Sequence, residues 1–453
     1  MPASPRIAVA IELARALGGV ALIPLRVAGY LLQKRRLDDE ARQDLAAEPP
    51  PLAEPGPAAP ADLGRPLRIF LSAAEHSGEI HAANLIDALT ARASELGLPT
   101  PEFHGLGGPA LEERGMLSIG NPGARAAMGF DGVLKALPFY LRLLTATTRH
   151  FQTWRPDVVL PVDSPALHVP LGRLAKKSGA RVAHFVTPQY WGWAPWRVRS
   201  YTSAVDLGLS ILPFESRWYA RYNVPAIHIG HPLLDELAAL GVEERSALPQ
   251  DGPLMLLPGS RAGVVSRNLP WMLERVAELQ ALPEFADLEA HLPHSRTDLD
   301  ELFDKLIAAS PARPHSVKRV RGPLHEELAK GSAALVVSGT VVLDLLPHRL
   351  PAVVLYRLKS GLQGWMRDHL LSVPWFTSVN LLANEEVHPE FGFHGDGPTS
   401  EVTAALARAL SDDAWRAQNF AGQERARKNL GPTGAVSRAA AAALDLALKE
   451  PRA

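Results

Sequence analysis

From Leu67 onward the chain alternates between two hydrophobic patterns. Short continuous apolar runs such as LRIFLSA (Leu67–Ala73), PDVVLPVD (Pro156–Asp163) and ARVAHFVTP (Ala180–Pro188) read as strands buried on both faces. Between them lie stretches such as HAANLIDALTARASEL (His81–Leu96), whose apolar positions recur at helical spacing. PEFHGLGG (Pro101–Gly108) adds a strand and a glycine turn, and LGRLAKKSG (Leu171–Gly179) a helix with a glycine stop. The rhythm restarts at GPLMLLPGSR (Gly252–Arg261) and continues through ALVVSGT (Ala334–Thr340) and LPAVVLYR (Leu350–Arg357). Repeated β-α-β order predicts parallel sheets covered by helices. The expected fold is therefore α/β, two doubly wound domains in tandem facing a cleft, with the junction near Gly230–Leu240. Their boundaries are set at 67–235 and 236–400, and the Ala-rich segment 401–453 is expected to form helices that pack back on the domains.

The first 66 residues follow neither pattern. Ile7 to Leu32 is mostly apolar, but Glu12, Arg15, Pro24 and Arg26 interrupt it, and Lys34, Arg35 and Arg36 follow at once. The uncharged run Ala16–Leu25 is shorter than the roughly 20 residues that a bilayer span requires. An apolar, basic helix over 1–37 lying on a membrane surface fits best. A tilted span and a helix packed on the protein's own surface are the other readings. Residues 38–66, ending in AAEPPPLAEPGPAAPADLGRP, read as a Pro/Ala-rich linker.

Composition narrows the chemistry. At 453 residues the chain is too long for one ordinary core. With 47 Lys and Arg against 48 Asp and Glu, the net charge of −1 argues against a general nucleic-acid binder. The absence of cysteine excludes disulfides, thiolate metal sites and a cysteine nucleophile.

Ligands of doubly wound sheets sit at the carboxyl ends of the strands, which is where the informative loops fall. In LLPGSR, Gly259 lets backbone N–H groups approach an oxyanion, the next helix presents its positive end, and Ser260 and Arg261 can bind phosphate; an ordinary turn with a surface arginine is the plainer alternative. VVSGTVVLDLL repeats the device with Ser338, Gly339 and Thr340. Asp344 lies one helical turn further on, placed to accept from ribose hydroxyls or simply to favour the helix dipole. Neither loop is a P-loop. Asp163 ends a strand as a candidate general base, with His168 second; a turn or helix-capping role is the competing reading. TPQYWGWAPWRVRSY offers Trp191 and Trp193 as platforms for sugar rings or acyl chains, or as members of a core cluster. MGFDGVLKALPFYLRLLTATTRHF (Met128–Phe151) reads as a membrane-facing or acyl-binding helix, or as a core helix. The loop FLSAAEHSGEIHAANL crowds Glu75, His76, Ser77, Gly78, Glu79 and His81 together, but at no standard zinc spacing, so no metal is expected.

Taken in order, these loops resemble the lipid-A-disaccharide synthase family, Gram-negative glycosyltransferases of the two-Rossmann-domain (GT-B) type. The matching stretches include AAEHSGEIHAANLI, GLGGPALEERGM, PDVVLPVDSP, TPQYWGWAPWRV, LLPGSR, VVSGTVVLDLL, VVLYRLKS and SVNLLANEEVHPEF, and together they span Leu67 to about Phe391. The resemblance implies transfer of a 2,3-diacylglucosamine unit from UDP to the 6-hydroxyl of 2,3-diacylglucosamine 1-phosphate, inverting the anomeric carbon without a metal or cofactor. It implies Asp163 as catalytic residue, and Glu75, Ser77, Gly78, Glu79, Trp191 and Trp193 on the acceptor side. It implies a UDP site of Gly259, Ser260, Arg261, Ser338, Gly339, Thr340, Asp344, Arg357, Asn380 and Glu390. The implied partners are UDP-diacylglucosamine, an acylated glucosamine phosphate and the cytoplasmic face of the inner membrane; a homodimer is an option, nucleic acid is not. The sequence departs from the family at Ala74, His76, Glu79 and Ala82, over Ser164–His168, at Val264, and at Asp344 in place of glutamate. Two alternatives follow from these departures: a GT-B transferase with a different lipid acceptor, and a non-catalytic relative that binds a nucleotide sugar or lipid.

Overall fold

The structure, a computed structural model, describes residues 4–54, 64–123, 130–249, 251–313 and 315–449. Two compact units divide it: Met1–Ala238 with Gly431–Ala453, and Ala239–Leu430.

The first unit is built on strands β1 (Arg68–Ala73), β2 (Glu102–Leu106), β3 (Leu117–Ser118), β4 (Val158–Val162), β5 (Arg181–Phe185), β6 (Leu207–Ser210) and β7 (Ala226–His228). They form one parallel sheet in the order β3-β2-β1-β4-β5-β6-β7. Ile69 lies opposite Phe103 on one side and Val158 on the other. Every residue of β4 is buried, as an apolar run without alternation requires of a strand covered on both faces. The order reverses between β1 and β4, so the loops after these strands open at a topological switch point. The last helix, Ala435–Ala447, packs on α3 (His76–Glu95), β4 and β5 of this unit.

The second unit repeats the plan with β8 (Leu254–Leu257), β9 (Ala290–His294), β10 (Val317–Arg321), β11 (Ala333–Val337), β12 (Ala352–Arg357) and β13 (Glu390–Phe393). Its parallel sheet runs β10-β9-β8-β11-β12-β13 and reverses between β8 and β11. Its core joins Leu254 and Leu256 of β8, Leu335 of β11 and Val353 of β12 to Leu269, Met272 and Val276 of the helix Ala262–Gln280.

The N-terminal segment differs from expectation. Two helices, α1 (Pro5–Ala21) and α2 (Ile23–Ala46), replace a single one over 1–37 and extend into the expected linker. The break at Leu22 coincides with Pro24 in the first turn of α2, a position that proline tolerates. Lys34–Asp38 and Arg36–Glu40 pairs, each four residues apart, carry α2 past residue 37. α1 packs on the helices Phe130–Trp154 and Pro165–Lys177, and α2 on Glu215–Ala220. Glu12, 2 % exposed, receives Arg173 Nε at 2.6 Å and Arg15 Nη1 at 2.7 Å, with Lys177 Nζ at 3.6 Å. Asp44 receives Arg221 at 2.6 Å, and Tyr30 meets Trp196 edge to face. The linker is pinned too: Ala53 donates to the His228 carbonyl at 2.9 Å, and Arg217 to the Glu48 carbonyl. Residues 55–63 of the linker, and Met128 and Gly129 of the amphipathic stretch, lie outside the described residues.

Glu12 is the shared acceptor in this docking. A fully buried pair costs ~3–5 kcal/mol to break. Arg15 and Lys177 are half exposed, so Glu12→Ala should cost about 2 kcal/mol. Amide exchange within α1 should then accelerate roughly 30-fold. Unchanged exchange would mean that the buried Ala8 and Val9 hold the helix without help from the ion pairs.

Candidate active site

At the first switch point, β1 runs through Ala74 into Glu75, the extended N-cap of α3. Glu75 and Ser77 are exposed at the mouth of this loop, and Gly78 is buried beside Val162. Glu79 serves the neighbouring turn: its Oε1 accepts the Ala110 N–H at 3.2 Å, and a Cβ on Gly108 would stand 2.6 Å from the same oxygen. His81 Nδ1 lies 3.0 Å from Glu236 Oε1, a pairing that sequence spacing does not reveal.

Asp163 ends β4 in an unusual turn. Asp163 and Ser164 both adopt the left-handed region, with φ of 51° and 45°. Two such residues in succession, neither glycine, need support from around them. The Asp163 N–H donates to the Phe185 carbonyl at 2.9 Å. Its own carbonyl is held by two imidazoles, His168 Nδ1 at 2.6 Å and His184 Nε2 at 2.9 Å. A carbonyl only accepts, so both nitrogens carry protons. That tautomer leaves His168 Nε2 as an acceptor for the Ser72 hydroxyl, 2.9 Å away. Burial holds both histidines neutral, His168 with its pKa lowered to about 4 and His184 to about 3. His168, the second candidate base, is thus spent on scaffolding. The Asp163 side chain instead reaches solvent at the rim. The protein around it desolvates the carboxyl and pushes its pKa up, and Glu75 adds to the rise, while the Ser164 N–H and His81 act against it. A carboxylate made more basic in this way is suited to accept a proton.

The aromatic segment divides. Trp191 is in the core, edge to face with Phe214, its Nε1 donating to Glu215 Oε1 at 2.9 Å; its ring offers no open face to a sugar. Trp193 is exposed. Glu215 also accepts the N–H groups of Ile211 and Leu212, each at 3.0 Å, and desolvation raises its pKa to about 7. This residue was missed by sequence reasoning; the only signal was a lone acid after the apolar run SILPF.

At the second switch point β8 leads through Gly259, at φ 105°, into the helix Ala262–Gln280. A Cβ on Gly259 would stand 2.7 Å from Val264 Cγ1, so turn and contact both exclude a side chain. Ser260 and Arg261 are exposed just before the helix. The loop after β11 exposes Gly339 and Thr340, with Ser338 donating its N–H to the Leu355 carbonyl at 2.8 Å. The helix expected behind it is one short turn, Val341–Asp344, so it adds little dipole. Asp344 lies 3.7 Å from His325 Nε2.

Three residues expected at the nucleotide are engaged with the protein instead. Asn380 is fully buried: its Nδ2 donates to the His388 carbonyl and Glu390, and its Oδ1 accepts from Val387 and His388. These bonds fill its donor and acceptor capacity, so it acts by holding Glu390. Glu390 further accepts Phe376 N–H at 2.8 Å and Thr377 N–H at 3.0 Å, and burial raises its pKa to about 7. Arg357 donates to the Arg267 carbonyl and, at 3.1 Å, to that of Gly395. Among the described residues no group of three or more His, Asp or Glu is placed to hold a metal.

Two doubly wound units, each with its polar loops at a switch point, define a GT-B glycosyltransferase architecture. The fold is similar to that of a putative UDP-N-acetylglucosamine 2-epimerase from Listeria monocytogenes, at 14 % identity and a TM-score of 0.53, covering 83 % of this chain and 94 % of that one. It is also similar to the glycotransferase of kitacinnamycin, at 17 % identity and a TM-score of 0.50, covering 83 % and 98 %. The family model described as lipid-A-disaccharide synthetase matches residues 69–445. The lipid-A-disaccharide synthase of Myxococcus xanthus is 34 % identical over 389 residues, 85 % of this chain and 98 % of that protein. That of Pseudomonas paraeruginosa is 33 % identical over 359 residues, covering 78 % and 92 %. The chain belongs to the lipid-A-disaccharide synthetase family and is an enzyme of that glycosyltransferase kind.

Glu390 gives a pH signature. Its folded pKa of about 7 lies above the usual 4.5, so the native state holds this proton more tightly than the unfolded chain. The contribution is full below pH 4.5 and is lost as pH rises to about 7, a fall of about 3 kcal/mol. Denaturant unfolding of Glu390→Gln across this window should show a flatter pH dependence than the parent protein. Parallel curves would assign the pH dependence to other groups.

Proposed function

We propose that the enzyme joins UDP-2,3-diacylglucosamine to 2,3-diacylglucosamine 1-phosphate, giving the β-1,6 disaccharide 1-phosphate and UDP. The observation that carries this reading is the Asp163 turn, whose main chain is clamped while its carboxyl stays open and desolvated. Asp163 takes the proton of the acceptor 6-hydroxyl as that oxygen attacks the anomeric carbon. The bond to the diphosphate breaks from the opposite face, UDP leaves with the electron pair, and the configuration inverts. Glu75 and Ser77 line the acceptor side. Gly259–Arg261 and Ser338–Thr340 take the diphosphate, whose developing charge suits a long helix N-terminus and a guanidinium. The departure at His168 supports an unchanged acceptor, because the imidazole supports the turn rather than facing solvent.

The same reading places the enzyme on the cytoplasmic face of the inner membrane. No described helix alone is long and apolar enough to span a bilayer, though α1 and α2, bent by 54°, pass as a pair by length and composition. Their docked arrangement leaves Leu17, Leu25 and Leu32 exposed by 61, 71 and 89 %. Exposed leucines of this kind suit a helix pair lying in the interface beside lipid substrates.

Asp163→Asn should lower turnover by about 10²–10⁴ while UDP affinity is retained. The parent enzyme should lose activity toward acid with a midpoint above the ordinary aspartate value of 3.8, because the base must be ionised. Near-normal turnover in the variant would remove Asp163 from the reaction. Arg261→Ala should weaken UDP binding by about 10- to 100-fold, as expected for one charge-assisted contact. Equal affinities by calorimetry would move the diphosphate elsewhere.

A further inference from the structure

Beside the N-terminal helices the first unit holds a cavity of about 610 Å³ lined by Arg15, Arg26, Arg173, Lys176, Lys177 and Arg199, with Ser200 and Ser203. Arg15 comes from α1 and Arg26 from α2. Arg173, Lys176 and Lys177 come from the helix Pro165–Lys177, and Arg199 and Ser200 from the short helix Val198–Thr202. Four segments, two of them outside the two-sheet framework, thus converge their cations on one space.

The charges are only partly compensated. Glu12 serves Arg15, Arg173 and Lys177, and Asp206 pairs with Lys176 at 3.0 Å. Six cations against these two carboxylates leave an excess of four positive charges. Among the described residues no carboxylate pairs with Arg26 or Arg199; Arg26 donates only weakly to the Gly19 carbonyl at 3.4 Å. Gathering like charges without ligand is unfavourable, and an anion with several oxygens would relieve it. Helices whose apolar side chains are left exposed supply one wall of the cavity.

We propose that this cavity binds the phosphate of an anionic membrane lipid, which fixes the first unit on the bilayer at one defined point. The proposal rests on the membrane-surface reading of α1 and α2. The ligand chemistry is a phosphate ester: guanidinium groups of Arg26 and Arg199 grip its oxygens, the Ser200 hydroxyl, which accepts from Arg173 Nη1 at 2.8 Å, has its proton to donate, and acyl chains extend past the apolar side chains of the helix pair. Free inorganic phosphate shares this chemistry, so the test separates the two sources.

Full-length protein is sedimented with phosphatidylcholine vesicles and with 7:3 phosphatidylcholine–phosphatidylglycerol vesicles at one ionic strength. The parent protein should bind the mixed vesicles at least tenfold more tightly. Arg26→Ala/Arg199→Ala should lose on the order of 20-fold on mixed vesicles and little on neutral ones, since each basic residue near an anionic surface is worth about fivefold. A charge-matched pair on α1 and α2 but outside the cavity, Arg6→Ala/Arg35→Ala, should lose clearly less. Equal losses in the two pairs, or none in the first, overturn the cavity as a site. Binding to neutral vesicles without gain from phosphatidylglycerol overturns the cavity while supporting the surface reading; no binding to either overturns both. Inorganic phosphate is added to the parent protein without vesicles. Stabilisation against heat at micromolar phosphate, absent in Arg26→Ala/Arg199→Ala, would make free phosphate the ligand and overturn the lipid assignment; no effect below millimolar phosphate supports it.

Discussion

The turn at the end of β4 depends on one acceptor: the carbonyl of Asp163, held by two neutral, buried imidazoles. A left-handed pair of non-glycine residues costs of order 1–3 kcal/mol per residue and persists only where the surroundings over-determine it. Here they do. The carbonyl, which can only accept, fixes the His168 tautomer, the Ser72 hydroxyl satisfies the ring's other nitrogen, and His184 on β5 supplies the second proton. Two imidazoles thus converge on a main-chain oxygen, one of them backed by Ser72, and the Asp163 carboxyl is left at the solvent-exposed rim with the Ser164 N–H as its partner.

The second unit follows the same logic with different groups. Asn380 saturates itself on its own loop and thereby orients Glu390, and Arg357 ties β12 to the helix Ala262–Gln280 and to the loop after β13. The exposed residues Ser260, Arg261, Gly339 and Thr340 lie on other loops, those after β8 and β11. In both units buried polar residues fix main chain next to the ends of strands, at Asp163 in the first and over Phe376–Glu390 in the second. This is the distribution expected where a site must be pre-organised before ligand arrives.

What the sequence made legible was periodicity and punctuation. The apolar runs at Leu67, Pro156 and Gly252 are strands because nothing but a doubly covered sheet buries such runs, and the glycine and proline turns mark their carboxyl ends. The switch-point positions of Asp163 and Gly259 followed from that order. What stayed hidden was direction. His168 looked like a base because its type permits that role, but its orientation was set by a carbonyl five residues earlier in the chain. Trp191 looked like a platform because aromatic type does not say which face is covered. Glu12 looked like an interruption of an apolar run; its three cationic partners include Arg173 and Lys177, about 160 residues away, and no local pattern carries that information. Asn380 and Glu390 were assigned from a resemblance to family positions, and such a match does not distinguish a residue that touches ligand from one that supports it.

The chain's passage between its two units has a consequence for synthesis. The first unit is interrupted at Ala238 and resumes at Gly431. The returning segment is not peripheral: Asp235 accepts the N–H groups of Gly434 and Val436, and the helix Ala435–Ala447 covers α3, β4 and β5. Until that helix leaves the ribosome, the apolar face of α3 and the sheet behind it lack their cover. At typical elongation rates the wait is about 10–40 s, long for exposed apolar surface. The second unit, continuous in sequence, can complete its own core within that interval. The unit that comes second in sequence is therefore the first able to finish folding. The unit that begins the chain is the one whose apolar surface waits uncovered for its closing helix.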